Sequence, residues 1–102
     1  MFESNAVEVS TSLLAAVADP IRWQLISQLS DGTRCVCDLQ TEPEIQPNLL
    51  SYHLKVLREA GLIEGTRRGR WIDYSLTEGA VDRLQAALPI TTRSRRQLTV
   101  IG

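Results

Sequence analysis

Between Pro47 and Gly61 the chain leaves little choice of structure. Leu50, Leu54 and Leu57 recur at i, i+4 and i+7, the spacing that aligns them on one face of an α-helix. Asn48, Ser51, Tyr52, Lys55 and Glu59 fall on the other face. Pro47 suits a first helical turn, where its missing N–H is not needed. Gly61 stands where a helix takes a left-handed C-terminal cap. The spacing predicts a helix over 47–60, with a leucine spine on one side and hydrogen-bonding groups on the other.

After Gly61 the period changes. Ile72, Tyr74 and Leu76 alternate with Trp71, Asp73 and Ser75, which predicts two short strands, 62–67 and 70–76, around Arg68-Gly69. Upstream, Val9, Leu13, Ala16 and Val17 predict a helix over 6–18. Asp19-Pro20 reads as the start of a second helix, with the aspartate as cap and Ile21, Leu25, Ile26 and Leu29 on its inner face. Ser30-Asp31-Gly32 ends it. Cys35 to Glu42 reads as a short helix stopped by Pro43. Thr77-Glu78 opens a last helix carrying Val81, Leu84 and Leu88, which Pro89 ends. Residues 1–90 form one domain on this reading, mainly α with a small β-hairpin. Residues 91–102, with Arg93, Arg95 and Arg96, read as a basic, mobile tail with a weak strand over 98–101.

Net charge alone, −1, argues against an anionic partner, but its distribution argues for one. Residues 1–44 hold seven acids and two arginines, whereas residues 45–102 hold nine bases and five acids. The basic part contains the polar helix face and a hairpin tip with Arg67, Arg68 and Arg70, and asymmetry of this kind points to an anionic partner. Two helices joined by a turn, the second with a free polar face and followed at once by a basic hairpin, follow the order of a winged helix-turn-helix. The second helix fits the major groove, about 12 Å wide. Asn48, Ser51, Tyr52, Lys55 and Arg58 are the candidate groove contacts, with His53 beside them as either a DNA contact or a packing residue. The hairpin arginines can reach phosphates or the minor groove.

Other classes fare worse. His53 is the single histidine of the chain, so neither a catalytic triad nor a multi-histidine zinc site can be built in one subunit. An enzyme is not expected. No apolar run approaches the ~18 residues of a membrane helix, and the first residues carry no export signal, which implies a cytoplasmic protein with no membrane partner. Two cysteines, Cys35 and Cys37, are too few and too close for a disulfide framework.

The motifs Asp19-Pro-Ile-Arg22, Cys35-Val-Cys-Asp-Leu39, Leu50-Ser-Tyr-His-Leu-Lys-Val-Leu-Arg-Glu-Ala-Gly-Leu62 and Arg68-Gly-Arg-Trp71 occur in one order over residues 12–88. In this the chain resembles the ArsR/SmtB family of metal-responsive repressors. The resemblance implies a homodimer formed through the first and last helices, bound to double-stranded operator DNA and released by an inducer. It also implies that Cys35 and Cys37 bind that inducer. Thiolates are soft ligands, suited to As(III), Sb(III) or a trivalent organoarsenical. A helix N-terminus and Arg34 would favour the thiolate form. Residues two apart on an α-helix diverge by about 200°, so joint ligation would have to unwind the first turn there. No constitutive cofactor is expected.

The chain also departs from the family. Gln40 stands where similar arsenic sensors carry a third cysteine, and the last helix has none of the histidines of the zinc sensors. A two-thiol site suits an organoarsenical better than arsenite, because carbon already fills one of arsenic's three bonds. A redox or persulfide switch at the same cysteines is the alternative, although a Cys-X-Cys disulfide closes a strained ring. The cysteines could also be no more than small buried hydrophobes.

Overall fold

The computed structural model describes residues 4–90. Four α-helices and a three-stranded antiparallel sheet follow in the order α1 (Ser4–Val17), α2 (Pro20–Leu29), β1 (Arg34–Cys35), α3 (Pro47–Glu59), β2 (Ile63–Arg68), β3 (Trp71–Leu76) and α4 (Ala80–Ala87). The expected arginine-rich tail and the strand over 98–101 lie outside the described residues.

The leucine spine does what its spacing predicts. Leu54 and Leu57 are fully buried, and with Leu25 and Leu29 of α2, Leu62, Ile63 and Tyr74 they form the core. The end of α3 is closed by backbone alone. Gly61 adopts φ +77°, its N–H reaches the Arg58 carbonyl at 2.9 Å, and the Leu62 N–H reaches the Leu57 carbonyl at 3.1 Å. This is the paired-bond cap for which a residue without Cβ is favoured. It turns the chain directly into β2. At the hairpin tip Arg68 pairs with Trp71, so Gly69 and Arg70 are the two loop residues. Gly69 takes φ +63°, as the first position of a type II′ turn requires.

Three local expectations are corrected. Residues 35–42 contain no α-helix: Arg34–Cys35 is a strand that pairs with β3 (Arg34 opposite Tyr74, Cys35 opposite Asp73), and Val36–Asp38 is a single 3₁₀ turn. The sheet therefore has the order β1-β3-β2 rather than being a bare hairpin. Asp19 precedes α2 as expected but makes no side-chain cap bond there. The last helix does not open at Thr77-Glu78 but at Ala80, with Gly79 as its N-cap, and Thr77 lies before it. The Thr77 hydroxyl donates to the Gly61 carbonyl at 2.6 Å, and Arg83 donates to the same carbonyl and to the Thr77 hydroxyl, tying α4 to the end of α3.

Helices α1 and α4 pack on each other, and α1 also touches α2 and α3. They leave Val7, Val9, Val81 and Leu88 exposed.

Candidate functional site

Helix α3 is held from behind, which leaves its outer face free. Asn48, Ser51, Tyr52, Lys55, Arg58 and Glu59 are all exposed, and Tyr52 has 55% of its surface open. The Asn48 side-chain oxygen accepts the Leu49 N–H at 3.0 Å, so its amide NH2 remains to donate outward.

His53 does not join that face. It is buried, and its Nδ1 accepts a hydrogen bond of 3.0 Å from the Arg22 guanidinium on α2. An Nδ1 that accepts leaves the ring proton on Nε2. Arg22 also donates through Nε to the Ala16 carbonyl at 2.6 Å, and the Asp19 carboxylate lies 3.9 Å from the ring and 4.0 Å from Arg22. His53 is thus a packing residue between α2 and α3. Its expected place among the DNA contacts is corrected on that ground. The sequence carried part of the signal: His53 directly precedes the spine residue Leu54, on the inner side of the helix.

The three wing arginines are exposed but differ in their partners. Arg68 makes a two-pronged bond to Asp73, at 2.8 and 3.2 Å. The hydrogen bond from Arg68 holds the Asp73 carboxyl below its ordinary value, so the pair stays charged and mutually neutralised near neutral pH. Arg70 lies over the Trp71 ring at 5.7 Å, and Arg67 makes a long contact of 3.4 Å to the Gly69 carbonyl. Among the described residues neither of these two faces a carboxylate within bridging distance, so two of the three charges are open to an anionic partner.

Cys35 is buried in the sheet opposite Asp73, and Cys37, two residues on, is exposed. The Cys37 N–H points at the Cys35 sulfur, 3.4 Å away. The hydrogen bond between the two side chains raises the Cys37 thiol above its ordinary pKa, helped by desolvation and the nearby Asp38 charge. This reverses the expected activation. No α-helix N-terminus is present here, and Arg34 turns away to donate to the Gln28 carbonyl at 3.1 Å. The need to unwind an α-helical turn also disappears, because the backbone at Cys35 is already extended. Among the described residues, no group of three or more His, Cys, Asp or Glu side chains could share a metal ion.

One feature of the site was missed in the sequence. Gln24 and Gln28, one turn apart on α2, each clasp the backbone of the segment between the cysteines and α3. The Gln28 amide donates to the Gln40 carbonyl at 2.6 Å and accepts its N–H at 3.0 Å. Gln24 does the same with Glu42, at 3.0 and 2.7 Å. The segment is thereby laced to α2 as a strand is laced to its neighbour. Two glutamines at i and i+4 beside a turn-rich stretch are the signal, but glutamines on helices are too common for it to be specific.

The profile described as "Bacterial regulatory protein, arsR family" matches residues 19–64, which run from the start of α2 into β2. The arsenical resistance operon repressor of Bacillus subtilis (strain 168) is 40% identical over 70 residues, 68% of this chain and 67% of that protein. The HTH-type transcriptional repressor SmtB of Mycobacterium tuberculosis (strain CDC 1551 / Oshkosh) is 36% identical over 72 residues, 71% of this chain. The chain spans only 53% of SmtB's length. The crystal structure of a possible transcriptional regulator for arsenical resistance superposes with a TM-score of 0.70 at 28% identity, covering 87% of this chain and 95% of that one.

Proposed function

Because the chain belongs to the arsR family of bacterial regulatory proteins, we propose that it is a dimeric, cytoplasmic operator-binding repressor released when a trivalent arsenical or antimonial joins Cys35 to Cys37. Among the described residues no helix is long and apolar enough to cross a membrane. The observation that carries the reading is the position of the cysteines. Cys35 is paired backbone to backbone with Asp73 of the wing, while the segment after Cys37 leads directly into α3. A ligand that draws the two sulfurs together acts on the wing and the reading helix at once, as a biased two-state element requires. The donor set fits a trivalent oxyacid: two thiols, with carbon or oxygen left as arsenic's third partner.

Titrating the dimer–operator complex with methylarsenous acid, arsenite and zinc tests this. Methylarsenous acid is expected to release the DNA at the lowest concentration. Zinc is expected to act weakly, since two thiols leave its tetrahedral shell half filled. Release by zinc ahead of both arsenicals would sink the proposal.

The DNA side yields two further expectations. Arg67→Ala and Arg70→Ala should weaken all duplexes alike, and should lower the salt slope by about one unit for each phosphate left without its arginine in each subunit. Arg68→Ala should change the slope less. Asp73→Asn, which frees Arg68, should steepen it. Equal slopes for the three alanine variants would show that the Arg68–Asp73 pair opens on DNA. Tyr52→Ala should cost operator binding roughly 1 to 3 kcal/mol beyond any loss on random duplex, and an equal loss on both would remove Tyr52 from base reading.

A further inference from the structure

We propose that the cleft beside Cys37 is a subsite for the organic group of a trivalent arsenical, and that an aryl group fills it best. The inference rests on the thiol reading above and names the ligand class that site would prefer.

The two sulfurs border different clefts. Cys35 lines a polar one of about 610 Å³, together with Arg34, Asp38, Arg68 and Asp73. Cys37 lines another of about 730 Å³, whose apolar walls are Val36, Leu39, Ile45, Pro47, Leu50 and Trp71. Gln40 lies on both. An arsenic atom bridging the sulfurs sits on the partition between the clefts, so its third substituent has two directions open to it. A hydroxyl group is suited to the charged side. A carbon substituent gains from the side that carries the apolar walls, where the cleft, open to solvent and edged by Thr41 and Gln40, is about 730 Å³. Glu42 and Glu44 also border the apolar cleft. They favour a neutral ring over one bearing a carboxylate or sulfonate.

The chemistry balances without an oxidant. Two As–O bonds of an arylarsenous acid break and two As–S bonds form. The two thiol protons leave with the hydroxyls as two waters, and arsenic stays trivalent.

The cleft also couples to DNA. Pro47 and Leu50 belong to α3 and Trp71 to the wing, so a ring lodged among them lies between the two DNA-facing elements.

The test compares phenylarsenous acid with methylarsenous acid in operator release by the full-length dimer, and in quenching of Trp71 fluorescence in a Trp23→Phe background. Phenylarsenous acid is expected to act at a concentration about tenfold lower or less, since even one extra methylene in an apolar pocket is worth about that much. Ile45→Trp, which fills the cleft, should bring the two compounds within about threefold of each other. Trp71→Ala, at the exposed end of β3, should reduce the ratio in the same direction and serves if Ile45→Trp fails to fold. A wild-type ratio near one, or a ratio that neither variant changes, overturns the subsite. Full release from a double Cys35→Ser, Cys37→Ser variant would overturn the thiol reading itself, an outcome that the ratio cannot imitate.

Discussion

Replacing either cysteine by serine is expected to leave operator binding intact and to remove release by arsenicals. Neither residue lies on the exposed face of α3 or at the hairpin tip. The pairing of Cys35 with Asp73 runs through backbone groups, which serine keeps. The Cys37 N–H that now meets the Cys35 sulfur can meet a hydroxyl instead. What serine cannot do is hold trivalent arsenic. With one thiol left, the second As–S bond cannot form, and the gain from linking two bonds in one molecule, on the scale of 10²-fold or more, goes with it. Release by methylarsenous acid should therefore require roughly 10²-fold more compound in either single variant, read by fluorescence anisotropy of a labelled operator. Cys35→Ser carries the larger structural burden, because Cys35 is buried and Cys37 is not. If Cys37→Ser responded as wild type and Cys35→Ser alone failed, one thiol would suffice and the chelate would be wrong.

How far the sequence could be read depended on whether the deciding interactions were local. Helix α3, its glycine cap and the hairpin were legible because each follows from residues within one or two turns: Leu50, Leu54 and Leu57, then Gly61, then the alternation through Tyr74. The cysteine box was not. Its conformation is set by pairing with Tyr74 and Asp73, far along the chain, and two residues of strand carry no periodicity to detect. The same pairing removes the α-helix N-terminus that was expected at the cysteines. The wing arginines were visible as charges, but the match between Arg68 and Asp73 depends on hairpin register, which brings the two side chains to the same side. His53 was undecided for a similar reason. Its phase on α3 puts it near the boundary of the two faces, and only Arg22, from another helix, draws it inward.

The largest loss of stability is expected at the spine of the reading helix. Leu57 has no exposed surface and lies where α2, α3 and the start of β2 meet. Leu57→Ala should cost about 2 to 5 kcal/mol through reduced burial and the cavity left behind, a large part of the ~5–15 kcal/mol available to a small protein. Leu50→Ala, at a half-buried position, should cost less. Urea titration at fixed protein concentration measures both, because concentration also sets the stability of a dimer. The midpoint should fall without a change in slope. The functional consequence distinguishes the two faces of α3. Under conditions where Leu57→Ala is still folded, its operator affinity should stay near wild type, since the deleted atoms point away from DNA. Tyr52→Ala should show the reverse, with an unchanged midpoint and a lower operator affinity, because its ring is mostly in solvent. A Tyr52→Ala variant that lost stability and a Leu57→Ala variant that lost affinity while folded would together mean that the helix presents a different face to DNA.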